Sequence, residues 1–151
     1  MKVTLVLGDY ARVTDGKLDI LGGGWNLNTA SPVTMGVGLI VEVPWNETNR
    51  KHTMRLTLLG ADGELVQLPG PNGQQQTIEV TTEFELGRPP GVAPGTSLPF
   101  ALAINVNQVP LPRNQRFEWR LDIDGRTEPD WHVSFQTLDP MPPAFGPRLG
   151  N

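Results

Sequence analysis

The sequence has no cysteine, which excludes disulfides, thiolate nucleophiles and cysteine-ligated zinc or iron–sulfur centres. Its two histidines, His52 and His132, are far apart and form no His-Glu-x-x-His pattern, so the case for a metal is weak. The net charge is −4, and the only cationic cluster is Arg50-Lys51-His52, so there is no basic stripe to follow a phosphate backbone. Long apolar runs are also missing. The first, Val3-Thr4-Leu5-Val6-Leu7, ends at Gly8-Asp9, too short for an export signal or a membrane span. The resulting expectation is a chain with no metal, no cofactor, no nucleic-acid partner and no membrane partner, cytoplasmic on synthesis. With 17 glycines and 15 prolines in 151 residues, long helices are disfavoured as well, because both residues are costly in helix interiors.

What is present is period two. Phe117, Trp119, Leu121 and Ile123 alternate with Glu118, Arg120, Asp122 and Asp124, and a strand sends those sets to opposite faces. Trp131, Val133 and Phe135 alternate in the same way with His132, Ser134 and Gln136. Ile78, Val80, Thr82, Phe84 and Leu86 alternate with Glu79, Thr81, Glu83 and Glu85, and Met54, Leu56 and Leu58 with Arg55 and Thr57. Phe100, Leu102, Ile104 and Val106 alternate with small or amide residues, which predicts a second face that is also partly covered.

Shorter strands are predicted at residues 3–7, at 17–21 after the Asp15-Gly16 turn, and at 65–68 across the Ala61-Asp62-Gly63 turn from 54–59. Residues 33–43 are apolar on both faces with Gly36 and Gly38 inside, as in a central strand with a bulge or a close backbone approach. One-faced strands bury their apolar sides by packing sheet on sheet. The predicted fold is an all-β antiparallel sandwich of eight or nine strands over residues 1–138, with a barrel as the second choice. Residues 139–151 hold four prolines and read as an extended arm, with Met141, Phe145 and Leu149 as apolar anchors.

Candidate sites are few. Gly22-Gly23-Gly24-Trp25-Asn26 lacks the helix that a nucleotide-binding glycine loop requires, so a tight bend beside an indole is the simpler reading. Trp119 and Trp131 fall in phase with core positions. Trp25 and Trp45 do not, and they are the candidates for a partner or a stacked sugar ring. His132 reads as a surface histidine, lacking the nucleophile and orienting acid that a catalytic base needs. Asp122, Asp124 and Glu128 around Gly125 miss the spacing of a calcium loop, so Asp124-Gly125 reads as a turn. Asn46-Glu47-Thr48 matches the glycosylation triplet by chance if the chain is not exported. No catalytic residue is assigned.

The string Leu7-Gly8-Asp9-Tyr10-Ala11, through Asp15-Gly16-Lys17-Leu18 to Ile20-Leu21-Gly22-Gly23-Gly24-Trp25, resembles a family of small proteins common in actinobacteria and their phages. Val43-Pro44-Trp45, Phe84-Glu85-Leu86-Gly87-Arg88-Pro89-Pro90-Gly91 and Trp119-Arg120-Leu121-Asp122-Ile123-Asp124-Gly125 extend that resemblance. It brings no activity or catalytic residues with it. Its phage context implies a virion component, such as a small protein decorating a capsid. The expected function is therefore a non-enzymatic structural or interaction protein whose partner is another protein, a second copy or phage capsid subunits. A carbohydrate-binding module using Trp25 or Trp45 is the alternative, and a hydrolytic enzyme comes third.

Overall fold

The computed structural model describes residues 1–140. Among these the chain is all-β: β1 (Lys2–Gly8), β2 (Tyr10–Thr14), β3 (Lys17–Leu21), β4 (Leu27–Asn28), β5 (Val33–Val43), β6 (Lys51–Gly60), β7 (Gln67–Pro69), β8 (Gln75–Thr77), β9 (Glu79–Glu85), β10 (Leu98–Val109), β11 (Arg116–Ile123) and β12 (His132–Thr137). The order β4-β12-β11-β6-β9 makes a five-stranded sheet and β1-β5-β10 a three-stranded one, while β2-β3 and β7-β8 are hairpins. Twelve strands exceed the eight or nine expected. The additions are β2, β4 and β8, two of them only two or three residues long and too short to display a period.

The alternation read from the sequence becomes burial. Phe117, Trp119, Leu121 and Ile123 of β11 are all buried, and so are Met54, Leu56 and Leu58 of β6. Trp119 sits between Leu58 on one side and Val133 on the other, so three strands present apolar side chains at one level. On β5 the odd residues from Val33 to Val43 are fully buried, and they join one continuous core with those of β6, β11 and β12. Trp119 crosses between the sheets, its indole Nε1 lying 3.4 Å from Met35 Sδ.

Gly36 and Gly38 serve a close approach. A Cβ at Gly36 would lie 2.6 Å from the Ala11 nitrogen, and one at Gly38 would lie 2.6 Å from Ile20 Cδ1. The β2–β3 hairpin therefore lies directly on the face of β5 turned away from the core. Asn105 of β10 fastens it there, accepting from Ala11 N at 3.0 Å and donating to Ala11 O at 2.8 Å, much as a neighbouring strand would. Asp15 and Gly16 both take positive φ, 51° and 71°, as a two-residue hairpin turn requires.

Residues 65–68 follow β6 only briefly. Leu59 bridges Leu65, and Val66 N donates to Leu58 O, before the chain leaves to form β7 and β8. The departure is built around Pro69-Gly70-Pro71-Asn72-Gly73, where Asn72 and Gly73 take positive φ.

Candidate functional site

The two indoles singled out from the sequence are both engaged within the chain. Trp45 lies in a short 3-10 turn, Trp45–Glu47, directly after β5. The Arg88 guanidinium covers its ring, with Cζ 4.0 Å from the centroid. Arg88 also donates from Nε to Thr48 Oγ1 and from Nη2 to Trp45 O, both at 2.6 Å. Thr48 Oγ1 itself donates to Trp45 O at 2.7 Å. The threonine of the glycosylation-like triplet is thus buried and fully bonded, and one face of the Trp45 ring is already stacked on a cation.

Trp25 is half-buried and meets Phe135 edge to face at 5.9 Å, while Phe135 in turn stacks on Phe117 at 5.5 Å. The bend that brings it there is held by Gly24 N donating to Leu7 O and Asp9 N donating to Leu21 O. Its Nε1 is buried with no hydrogen-bond partner among the described residues. Met141, Phe145 and Leu149 lie outside the described residues, so Trp25 and Trp45 are the interaction candidates whose surroundings are defined. They occupy separate places: Trp25 beside β12, and Trp45 at the end of β5.

Sequence reasoning missed the most tightly held polar group. His52 is 1% exposed and stacks on Phe84 at 5.2 Å. Its Nδ1 lies 2.7 Å from Asp124 Oδ2 and its Nε2 lies 2.8 Å from Glu47 O. Both neighbours are acceptors, and each ring nitrogen lies within hydrogen-bond distance of one of them. Burial raises the Asp124 carboxyl pKa and is the largest single influence on it. The hydrogen bonds from His52 and the Thr53 N–H, with the charges of His52 and Arg50, more than offset this and leave the carboxyl below its ordinary value. The signal is in the sequence: His52 is in phase with Met54, Leu56 and Leu58, and β6 begins at Lys51, three residues before the strand expected at Met54.

Asp124-Gly125 is the expected turn. Both residues take positive φ, and Gly125 N donates to Asp122 Oδ1 at 3.1 Å. The Asp124 carboxylate is turned inward to His52 and Thr53 rather than toward Asp122 and Glu128. No cluster of three metal-ligating side chains occurs among the described residues. His132 is exposed on the outer face, and its cross-strand partner is Arg120.

One shallow concavity of about 300 Å³ lies on that outer face, where Arg55, Arg120, Glu79 and Asp122 surround Leu59 and Leu65. It contains no aromatic ring on which a sugar could stack. Arg120 is paired with Glu118 at 2.6 Å, so the face is a balanced array of charges.

The chain is thus an all-β domain whose buried polar residues Thr48, His52 and Thr137 are bonded to its own loops and strands. The match between residues 3–135 and DUF6941, a family of unknown function, covers most of the chain, which belongs to that family. No curated protein and no solved structure matches it.

Proposed function

We propose that the chain is a non-catalytic structural or interaction protein, acting as a virion component that decorates a capsid and binds by surface complementarity. We further infer that its five- and three-stranded sheets pack face to face as a β-sandwich, a rigid body suited to repeated placement on a shell. The observation that carries the functional reading is how the polar groups are used. The buried polar residues Thr48, His52 and Thr137 each bond to neighbouring loops or strands, and none of them lines the outer-face concavity. The exposed apolar side chains, by contrast, include a cross-strand pair, Tyr10 opposite Leu21, on the hairpin that the three-stranded sheet carries. A scaffold that spends its polar groups internally and shows apolar side chains outside is built for contact.

On this reading residues 139–151 are an arm that reaches a neighbouring subunit. Gradient-purified phage particles from the replicon that encodes the chain provide the test. Stoichiometric recovery of the chain in the particles, by mass spectrometry, supports the virion role, and its absence from them rejects it. Deleting residues 139–151 is expected to reduce particle binding while leaving the unfolding midpoint unchanged. A lowered midpoint with full binding would reject the intermolecular arm.

A further inference from the structure

Every open β-sheet exposes edges, and exposed edges normally carry a device that prevents pairing with another chain. Three of the four edges of the two main sheets have one. β4 is two residues long. β1 carries Lys2 at its start, and Gly24 N already bonds Leu7 O near its end. β9 carries Glu79, Glu83 and Glu85. β10 is different. It runs for twelve residues, its one strand partner among the described residues is β5, and it contains no charged side chain. The charge-free stretch extends well beyond the strand, over residues 89–112.

The core-facing side chains of β10 carry the same message. Val37, Leu39 and Val41 on β5 are fully buried, whereas their partners Ile104, Leu102 and Phe100 on β10 are only half-buried. Phe84 of β9 stacks on Phe100 at 4.6 Å, and Leu102, Ile104 and Val106 line the seam beside β10, packed against the core with part of their surface exposed. At the far end of β10 the seam widens into a groove of about 360 Å³ lined by Leu68, Ile78, Val106, Val109 and Pro110 among others, with no charged residue in its wall.

We propose that the free edge of β10 is a self-association surface whose occupant is β10 of a second copy of this chain. The reading names a partner for the interaction role proposed above and rests on it. Two copies related by a two-fold axis meet antiparallel, so uncharged side chains face uncharged side chains along the whole contact. The same operation on β9 would set Glu79, Glu83 and Glu85 against carboxylates of their own kind, so charge favours β10 and rejects β9. Pairing would join two three-stranded sheets into one of six strands. It would cover Phe100, Leu102, Ile104 and Val106 from water. With the axis near Ala103, the neutral, proline-rich segment that precedes β10 in one copy approaches the neutral groove of the other. Pro99 has no N–H and the register shifts between Val106 and Val109, which confines the ladder to the stretch between them.

Sedimentation velocity on the full-length chain, paired with amide exchange measured over a dilution series, tests this. The expected mass is twice the 16.5 kDa of one chain, with β10 amide protection that falls as the protein is diluted. Ala101→Glu together with Asn107→Glu places carboxylates along the edge and should shift the sedimenting species to a single chain. Ala101→Glu alone, inside that ladder and opposite Asn105 of the second copy when the axis lies near Ala103, keeps the test valid if the double variant does not fold, and should weaken the dimer at least tenfold. A wild-type chain that stays monomeric at hundreds of micromolar overturns the proposal. So does a dimer whose β10 exchange is independent of dilution, or one that both variants leave intact. A monomer recovered in virions would refute self-pairing and spare the virion role, and a dimer absent from virions would do the reverse.

Discussion

His52 donates from Nδ1 to Asp124 Oδ2 at 2.7 Å, joining the start of β6 to the turn that follows β11. The other ring nitrogen faces Glu47 O, so one side chain ties two strands to the Trp45 turn. Asp124 is the exposed member of the pair, its side chain 30% exposed against 0% for that of His52.

The pair makes stability depend on pH at the acid end. The Asp124 carboxyl titrates lower in the folded chain than in the unfolded one, so the unfolded state binds its proton first. Its contribution is complete above the unfolded carboxylate value of about 4 and is lost as pH falls through the lower folded value. Asp124→Asn should cost about 1.5 kcal/mol at pH 7, in line with a hydrogen bond to a charged group. The gap between variant and wild type should close as pH falls below about 4. Urea unfolding at pH 7 and pH 3 measures both, and an equal gap at the two pH values would contradict the assignment.

Trp119→Ala should cost about 3–5 kcal/mol, because the indole is fully buried between Leu58 and Val133 and reaches Met35 in the other sheet. Chemical denaturation gives the value directly. A loss near zero would mean that the site refills without penalty.

The two β5 glycines should respond differently to alanine. At Gly36 the new Cβ meets the Ala11 backbone nitrogen and Asn105 Oδ1, neither of which can yield without moving the hairpin, and the cost should be about 1–3 kcal/mol. Faster exchange at the Ala11 amide should accompany it. At Gly38 the neighbours are the ends of Leu18 and Ile20, which can change rotamer, so Gly38→Ala should cost less. The reverse order would place the hairpin's anchor elsewhere.

Arg88→Ala should free the Trp45 ring and remove the donor to Thr48 Oγ1, while the Trp45 carbonyl keeps the Thr48 hydroxyl, for a loss of about 1 kcal/mol. Tryptophan emission should shift to the red. Arg88→Lys should recover little, since an ammonium cannot stack on the ring and fork to two acceptors at once. Full recovery by lysine would show that charge alone holds the turn.

Strand positions and inward faces were legible in the sequence wherever a strand has one dry side and one wet side. Phe117 to Ile123 and Ile78 to Leu86 read correctly because period two is a local property, written in consecutive residues. The glycines inside β5 also announced a close approach. What approaches could not be read, because Ala11 and Asn105, the groups that meet there, are 94 residues apart in the chain. The same limit hid the partner of His52, which lies 72 residues away, and the arginine that covers Trp45, 43 residues on. Alternation specifies which face of a strand is apolar, but it carries no information about strand order. The strand order in each sheet decides that β10 is an edge and that Asp124 stands beside His52. Those consequences belong to tertiary structure because they follow from which strands become neighbours, and that is settled by the packing of the whole core at once.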